Sequence, residues 1–306
     1  MKQVVLNLKP VPPYDFNLTA GYATYFRRTT GAESYQDGVF QRLLDIGDTP
    51  CLANVRSLGT MDSPSLEVVI IGTKLDKTVV TKAQQRISWI LGIDQSLLPF
   101  YRMAQNDSAL SPLVKRLRGL HIPHTGSIYE ALVLAILGQQ INSHVARMLR
   151  TLLIETYGQA LEISGNIYHC FPQATNLATA GITGLRAIKL STRKAQYIVD
   201  ISNRIILGQL DLEGLRLRPD EEVIRTLTSL RGVGLWTTHW LFIRALGRND
   251  GFPHEDLALC RTLSRLLNSA IPFTPAATLE YSQRWSPFRS YVTAYLFAAI
   301  RSGLIC

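Results

Sequence analysis

The stretch that decides the fold is LTSLRGVGLWTTHWL, Leu227–Leu241. The segment just before it, PDEEVIRTLTSL, opens with Pro219 and the acids Asp220, Glu221 and Glu222, which suit the positive end of a helix. Val223, Ile224, Leu227 and Leu230 then form one apolar stripe at helical spacing. A second helix is expected from about Leu235 to Leu246, with Gly247 after it. Between the two sits Arg231-Gly232-Val233-Gly234, so the unit reads as a helix–hairpin–helix. A dinucleotide site is disfavoured, because it needs a strand before the turn and a third glycine. Glycines let a backbone turn tightly and approach a ligand closely. The free N–H groups opening the second helix suit a phosphate oxygen and read no base. An ordinary αα-hairpin would use the same glycines, and this segment alone leaves both readings open. Trp236 and Trp240 are four residues apart and share a helix face. They fit either core packing or the wall of a pocket for a flat or cationic ligand.

Downstream, GRNDGFPHEDLALCRTL carries Asp256. Pro253 fixes the chain before it, and Leu257 and Leu259 begin another helix, which puts Asp256 near a helix N-terminus. A plain cap accounts for such an acid as well as a chemical role does. Upstream, Ser127–Glu130 (SIYE) reads as a capping box, with the glutamate reaching back to the serine. YEALVLAIL is apolar nearly all round and predicts a centrally buried helix, broken by Gly138. GQQINS leads into HVARMLRTLLIETY, closed by Gly158, and TRKAQYIVDISNRII predicts a further helix. The first hundred residues differ. KQVVLNL, GVFQRLLDI, CLANVRSL and SLEVVIIG predict strands of a small antiparallel sheet. LTAGYATYFRRT and KAQQRISWILG predict helices, the second ended by Gly92.

The chain has 306 residues, enough for two or three lobes. Its 46% hydrophobic and 18% charged content is that of a globular protein with a sizeable core. A net charge of +9 suits a polyanion such as nucleic acid or an anionic membrane surface, though a chance basic surface fits too. No stretch reaches the roughly 18 uninterrupted apolar residues of a membrane span. MKQVVLNLKPVPPYDF lacks the apolar core of a signal peptide, so a soluble cytoplasmic protein is expected. Cys51, Cys170, Cys260 and Cys306 are not at metal-ligand spacing and are expected as reduced thiols. His121 and His124 (HIPH) lack a third ligand and read as a loop. His254 and Glu255 read as solvated loop residues. Arg147, Arg150, Arg186, Lys189, Arg193 and Lys194 suit phosphates or a solvated helix face equally.

A helix–hairpin–helix followed by a proline loop and a single Asp resembles the helix–hairpin–helix DNA glycosylase superfamily. Within it, PPYDF, YEALVLAILGQQINSHVARMLRTLLIETYG, LRGVGLWTTHW, FPHEDLAL and RWSPFRSYVTAYLF resemble, in this order across nearly the whole chain, the AlkA-type DNA-3-methyladenine glycosylase II family. The resemblance implies an α+β fold. An N-terminal lobe like half of a TATA-binding fold would span 1–99, a helical lobe 100–120 and 250–306, and a central helical lobe with the hairpin 121–249. The cleft would lie between the helical lobes. The implied activity is hydrolysis of the N-glycosidic bond to alkylated bases in double-stranded DNA, by a monomer with no cofactor and no membrane partner. A monovalent cation would be held by hairpin carbonyls near Leu230 and Val233, with no side-chain metal ligands.

Residue by residue, Asp256 falls on the family's catalytic aspartate, and Gly232 and Gly234 on the glycines that grip the DNA backbone. Trp236, Trp240, Phe297 and Tyr22 fall on pocket aromatics, Phe297 where a relative carries Trp, and Tyr22 beside a spacing that differs by one residue. Gln140 falls on the wedge that fills the gap left by a flipped base, where a relative carries Leu. Lyase members keep a lysine two residues after the second hairpin glycine. Trp236 stands there, so the resemblance implies a monofunctional enzyme. The iron–sulfur cysteine loop of endonuclease III-like members is missing. A base cationic from alkylation is already a good leaving group, so one carboxylate suffices where most sugar hydrolases need two. Aromatic faces would favour such a cation. Alternatives are a superfamily glycosylase for 8-oxoguanine, hypoxanthine or uracil, and a catalytically silent lesion-binding protein.

Overall fold

The computed structural model describes residues 1–27 and 31–305. The fold is mixed α+β. Its N-terminal part contains β1 (Lys2–Leu8), α1 (Phe16–Ala23), β2 (Glu33–Gln36), β3 (Val39–Asp45), β4 (Pro50–Ser57), β5 (Leu66–Gly72) and α2 (Lys77–Ile90). The strands form an antiparallel sheet in the order β1-β5-β4-β3-β2. Alternate residues of β5 (Leu66, Val68 and Ile70) are buried with Val79, Ala83 and Ile87 of α2, as strand and helix periods require. The four predicted strands are present. β2 (ESYQ) is a fifth, a short edge strand without an apolar run.

The helix predicted over LTAGYATYFRRT ends early. Phe26 folds back onto α1, where a Cβ on Gly21 would lie 2.9 Å from its ring. Tyr25 and Phe26 take the left-handed φ values +56° and +54°. The last two residues of that predicted segment lie outside the described residues.

The remainder is largely helical. α3 (Leu98–Gln105) and α4 (Leu110–Arg116) precede α5 (Ile128–Gly138) and α6 (Ser143–Tyr157). A hairpin of β6 (Ala160–Ile163) and β7 (Asn166–His169) leads to α7 (Ala174–Ala187), broken at Gly181, and to α8 (Thr192–Ile206). Then come α9 (Asp220–Thr228), α10 (Leu235–Leu241) with a π-helical turn over Phe242–Leu246, α11 (Leu257–Leu266), α12 (Pro275–Ser282) and α13 (Arg289–Arg301). α5 is the centre of one core, packed with residues of α6, α8, α9 and α10. A second core joins α3, α4 and α13 around the fully buried Trp285. Among the described residues, no helix is long and apolar enough to cross a membrane.

The capping box at SIYE is only half formed. Ser127 Oγ accepts from the Glu130 amide at 3.0 Å, as expected. Glu130 does not return to Ser127; its Oε2 accepts from the Gly126 amide at 3.0 Å and from Arg42 Nη2 at 2.5 Å. The reason is Arg42, a buried guanidinium on β3 that needs carboxylates around it. Glu33 on β2 bonds both Arg42 and Arg150 of α6. This buried Arg–Glu network fastens the sheet to α5 and α6. HIPH lies in an irregular connection, but His121 and His124 are buried, with Nδ1 atoms 2.6 Å from the Gly92 carbonyl and 2.9 Å from the Trp89 carbonyl. Cys51, Cys170 and Cys260 are buried free thiols; Cys306 lies outside the described residues.

Candidate active site

The hairpin is built from α9, the turn Arg231–Gly234 and α10. The Val233 amide donates to the Leu230 carbonyl at 3.1 Å, closing the turn. Gly232 has φ +86°, and a Cβ there would lie 2.2 Å from the ring of Tyr197 on α8. Both backbone and packing therefore require glycine. Gly234 has an extended backbone, and its Cβ position is open, with nothing within 4 Å. Its carbonyl starts α10 by accepting from the Thr238 amide at 3.0 Å.

Gln139, which sequence reasoning missed, joins this turn to the end of α5. Its Nε2 donates to the Gly232 carbonyl at 2.8 Å. The neighbouring Gln140 is exposed, with a left-handed φ of +55°. In GQQINS nothing local tells the two glutamines apart. Only the packing shows that one is tied down and the next projects.

Asp256 is the N-cap of α11. Its Oδ1 accepts from the amides of Ala258 at 2.8 Å and Leu259 at 3.1 Å. Its Oδ2 accepts from Trp236 Nε1 at 2.9 Å. The cap and the second role are thus compatible in one side chain, because each uses a different oxygen. Three donors fix the direction of the carboxylate.

Trp236 and Trp240 are partly buried and share one wall of a cavity of about 460 Å³, a volume suited to a small flat ligand. Its other walls come from Leu134, Ala135, Leu137 and Gly138 of α5, from Ser143, Ala146, Arg147 and Arg150 of α6, from Tyr25–Arg27, and from Arg301 of α13. Tyr22 and Phe297 are not part of this lining. They stand behind Arg301, whose guanidinium lies 5.1 Å from the Tyr22 ring centre, 4.5 Å from that of Tyr25 and 5.4 Å from that of Phe297. Burial pushes the Tyr25 phenol up, but the charges of Arg244, Arg150 and Arg301 outweigh it and leave the group more acidic than usual. Burial, with the charges of His254 and Arg289, pushes His239 down to about 4.

The basic candidates separate. Arg147 and Arg150 line the cavity, Arg150 being also paired with Glu33. Lys194 donates to the Leu137 carbonyl at 2.8 Å, and Arg193 to the Tyr197 hydroxyl at 2.6 Å. Arg186 and Lys189 are exposed.

Residues 133–287, just over half of the chain, match the family described as HhH-GPD superfamily base excision DNA repair protein. The chain belongs to the HhH-GPD superfamily. The matched segment of this HhH-GPD protein contains the hairpin, both cavity tryptophans and Asp256. The chain is 28% identical over 302 residues to a DNA-3-methyladenine glycosylase of Bacillus subtilis, covering 97% of each chain. The 3-methyladenine DNA-glycosylase of Archaeoglobus fulgidus has a similar structure, with a TM-score of 0.84, 25% identity and 97% and 98% of the two chains covered. A Schizosaccharomyces pombe 3-methyladenine DNA glycosylase in complex with abasic DNA matches with a TM-score of 0.55 at 25% identity, over 65% of this chain and 95% of that one.

Proposed function

We propose that this HhH-GPD protein is a monofunctional DNA glycosylase. It hydrolyses the N-glycosidic bond of alkylated bases in double-stranded DNA, acting as a monomer in base excision repair. The observation that carries this reading is the Asp256 carboxylate, held by the indole N–H of Trp236, which itself lines a cavity roomy enough for a base. The names of its full-length relatives support the substrate class.

The chemistry follows from the geometry. A base inside a duplex is out of reach, so it is flipped out, at a cost of a few kcal/mol of stacking. Gln140, exposed on a left-handed turn, fills the gap, and the amides around Gly232–Gly234 hold the phosphate backbone. Neutral backbone carbonyls near Leu230 and Val233 are the oxygen donors that suit a monovalent cation, which would brace the turn. In the cavity the base meets Trp236 and Trp240. As the C1′–N bond breaks, its electron pair leaves with the base and positive charge grows on the sugar, which Asp256 stabilises. Water adds to C1′ and Asp256 orients it. Trp236 occupies the position where a lyase keeps its lysine, and an indole forms no Schiff base.

The test is release of bases from methylated duplex DNA by the wild type and by Asp256→Asn, with products separated by chromatography. The variant is expected to bind DNA and to lose base release. Substantial excision by the variant, or trapping of a wild-type enzyme–DNA adduct with borohydride, contradicts the proposal.

A further inference from the structure

A carboxylate that stabilises a developing charge has to be held in place, and α10 meets the segment carrying Asp256 at two points. Trp236 donates to Asp256 Oδ2 at 2.9 Å. His239, three residues on and so beside Trp236 on the helix surface, holds the chain that leads into Asp256. Its Nδ1 accepts from the Phe252 amide at 3.3 Å. Phe252 is buried, so that amide needs a partner inside the protein, and Pro253 after it has no N–H to offer. From there the backbone closes stepwise. The His254 amide donates to the Phe252 carbonyl and the Asp256 amide to the Pro253 carbonyl, both at 2.9 Å. The segment Phe252–Asp256 is thus clamped to one helix at its two ends, by His239 at the first residue and by Trp236 at the last. The loop also presses on α10 at Gly251, where a Cβ would lie 3.0 Å from the His239 carbonyl.

An imidazole that accepts at Nδ1 must be neutral, with its proton on Nε2. The surroundings of His239 keep it so. The ring centres of His254 and Phe242 lie 6.5 Å and 5.7 Å away, both edge-on. Asp250, the nearby acid, is paired with Arg289 at 2.6 Å. Burial, with the charges of His254 and Arg289, outweighs Asp250 and holds the imidazole well below its usual value. His239 is not among the residues that line the cavity, so it reaches the base only through the Asp256 segment.

We infer that His239 is a positioning residue for base release: through the Phe252 amide it fixes the segment that carries Asp256, and so sets the rate of bond cleavage and not the affinity for DNA. Without the acceptor, the first residue of the segment loses its tie to α10. The Trp236 contact is then left to hold Asp256 on a looser backbone.

This inference rests on the glycosylase reading, and the experiment keeps the two apart. Release of bases from methylated duplex DNA and hydrogen exchange of the Phe252 amide are measured for wild type, His239→Leu and His239→Asn. His239→Leu, which fills the space without an acceptor, is expected to lower kcat at least about tenfold with KM within about threefold of wild type, since a misplacement of about 1 Å costs up to roughly a hundredfold. Its Phe252 amide is expected to exchange at least about tenfold faster, the size of one lost hydrogen bond. In His239→Asn the side-chain oxygen stands as many bonds from Cα as Nδ1 does, so both kcat and exchange are expected within about threefold of wild type. Where His239→Leu does not fold, His239→Gln, whose oxygen lies one bond farther out, takes its place with the same expectations. Wild-type kcat in His239→Leu, a change confined to KM, or an Asn variant as slow as the Leu variant overturns the inference. A wild-type protein that releases no base overturns the glycosylase reading, and this inference with it.

Discussion

At the scale of single residues, the contact with most chemical consequence is the indole N–H of Trp236 on Asp256 Oδ2, at 2.9 Å. A hydrogen bond to a charged group contributes about 1.5–3 kcal/mol, or roughly 10–100-fold in a rate that depends on it. Trp236→Phe keeps an aromatic wall and loses the donor, while the amides of α11 still hold Oδ1. Its expected effect is therefore a fall in kcat of about 10–100-fold with little change in KM, smaller than the loss in Asp256→Asn. Steady-state rates on methylated duplex DNA decide it, and a fall in binding alone would mean that Trp236 acts as a wall and not through its N–H. The sequence shows Trp236 and Asp256 as separate candidates, each on its own helix. Their contact spans twenty positions and depends on how α10 and α11 pack, so no local pattern could reveal it.

At the scale of the element, the two hairpin glycines have different reasons to exist. Gly232→Ala would need φ +86° and place a methyl group 2.2 Å from Tyr197. It should lower stability by about 1–3 kcal/mol, read as a lower urea midpoint. Gly234→Ala meets open space, so folding should be unaffected; under the proposed function DNA affinity should fall, because the added methyl would stand in the way of the proposed phosphate contact. Equal stability of Gly232→Ala and wild type would contradict this division. The hairpin itself was legible, because apolar stripes at helical spacing and glycine punctuation are local signals. β2, β6–β7 and α7 were not. ESYQ is polar, each strand of the small hairpin has four residues, and ATNLATAGITGLRA carries glycines at Gly181 and Gly184 that weaken a helical reading.

At the scale of the whole molecule, buried polar groups hold the parts in register. Burial lowers the tendency of Arg42 to stay charged, but Glu130 and Glu33 outweigh it and raise its pKa, so the cation persists in the interior. His124 is the opposite case. Burial pushes it down to about 3, against 6.5 when unfolded. The unfolded chain then binds a proton that the folded chain refuses. Stability from this group is full above about pH 6.5 and is lost as pH falls toward 3, at about 1.4 kcal/mol per unit. Between pH 6.5 and 5, before most carboxylates titrate, the urea midpoint should fall, and His124→Gln should flatten that slope. An unchanged slope in the variant would remove His124 as its source.

The sequence by itself determined which segments are helix, strand and turn around the hairpin, and that Asp256 stands at a helix start. Those features follow from side-chain period, capping residues and the conformational limits of Gly and Pro over a few neighbouring positions. Only the tertiary structure decided that Gln139 ties the hairpin to α5, that Trp236 points its N–H at Asp256, and that Arg301 covers Tyr22, Tyr25 and Phe297. Each of those contacts joins elements distant in the chain, or is set by what packs around them. Its geometry is fixed by the joint packing of the cores, which no local stretch encodes.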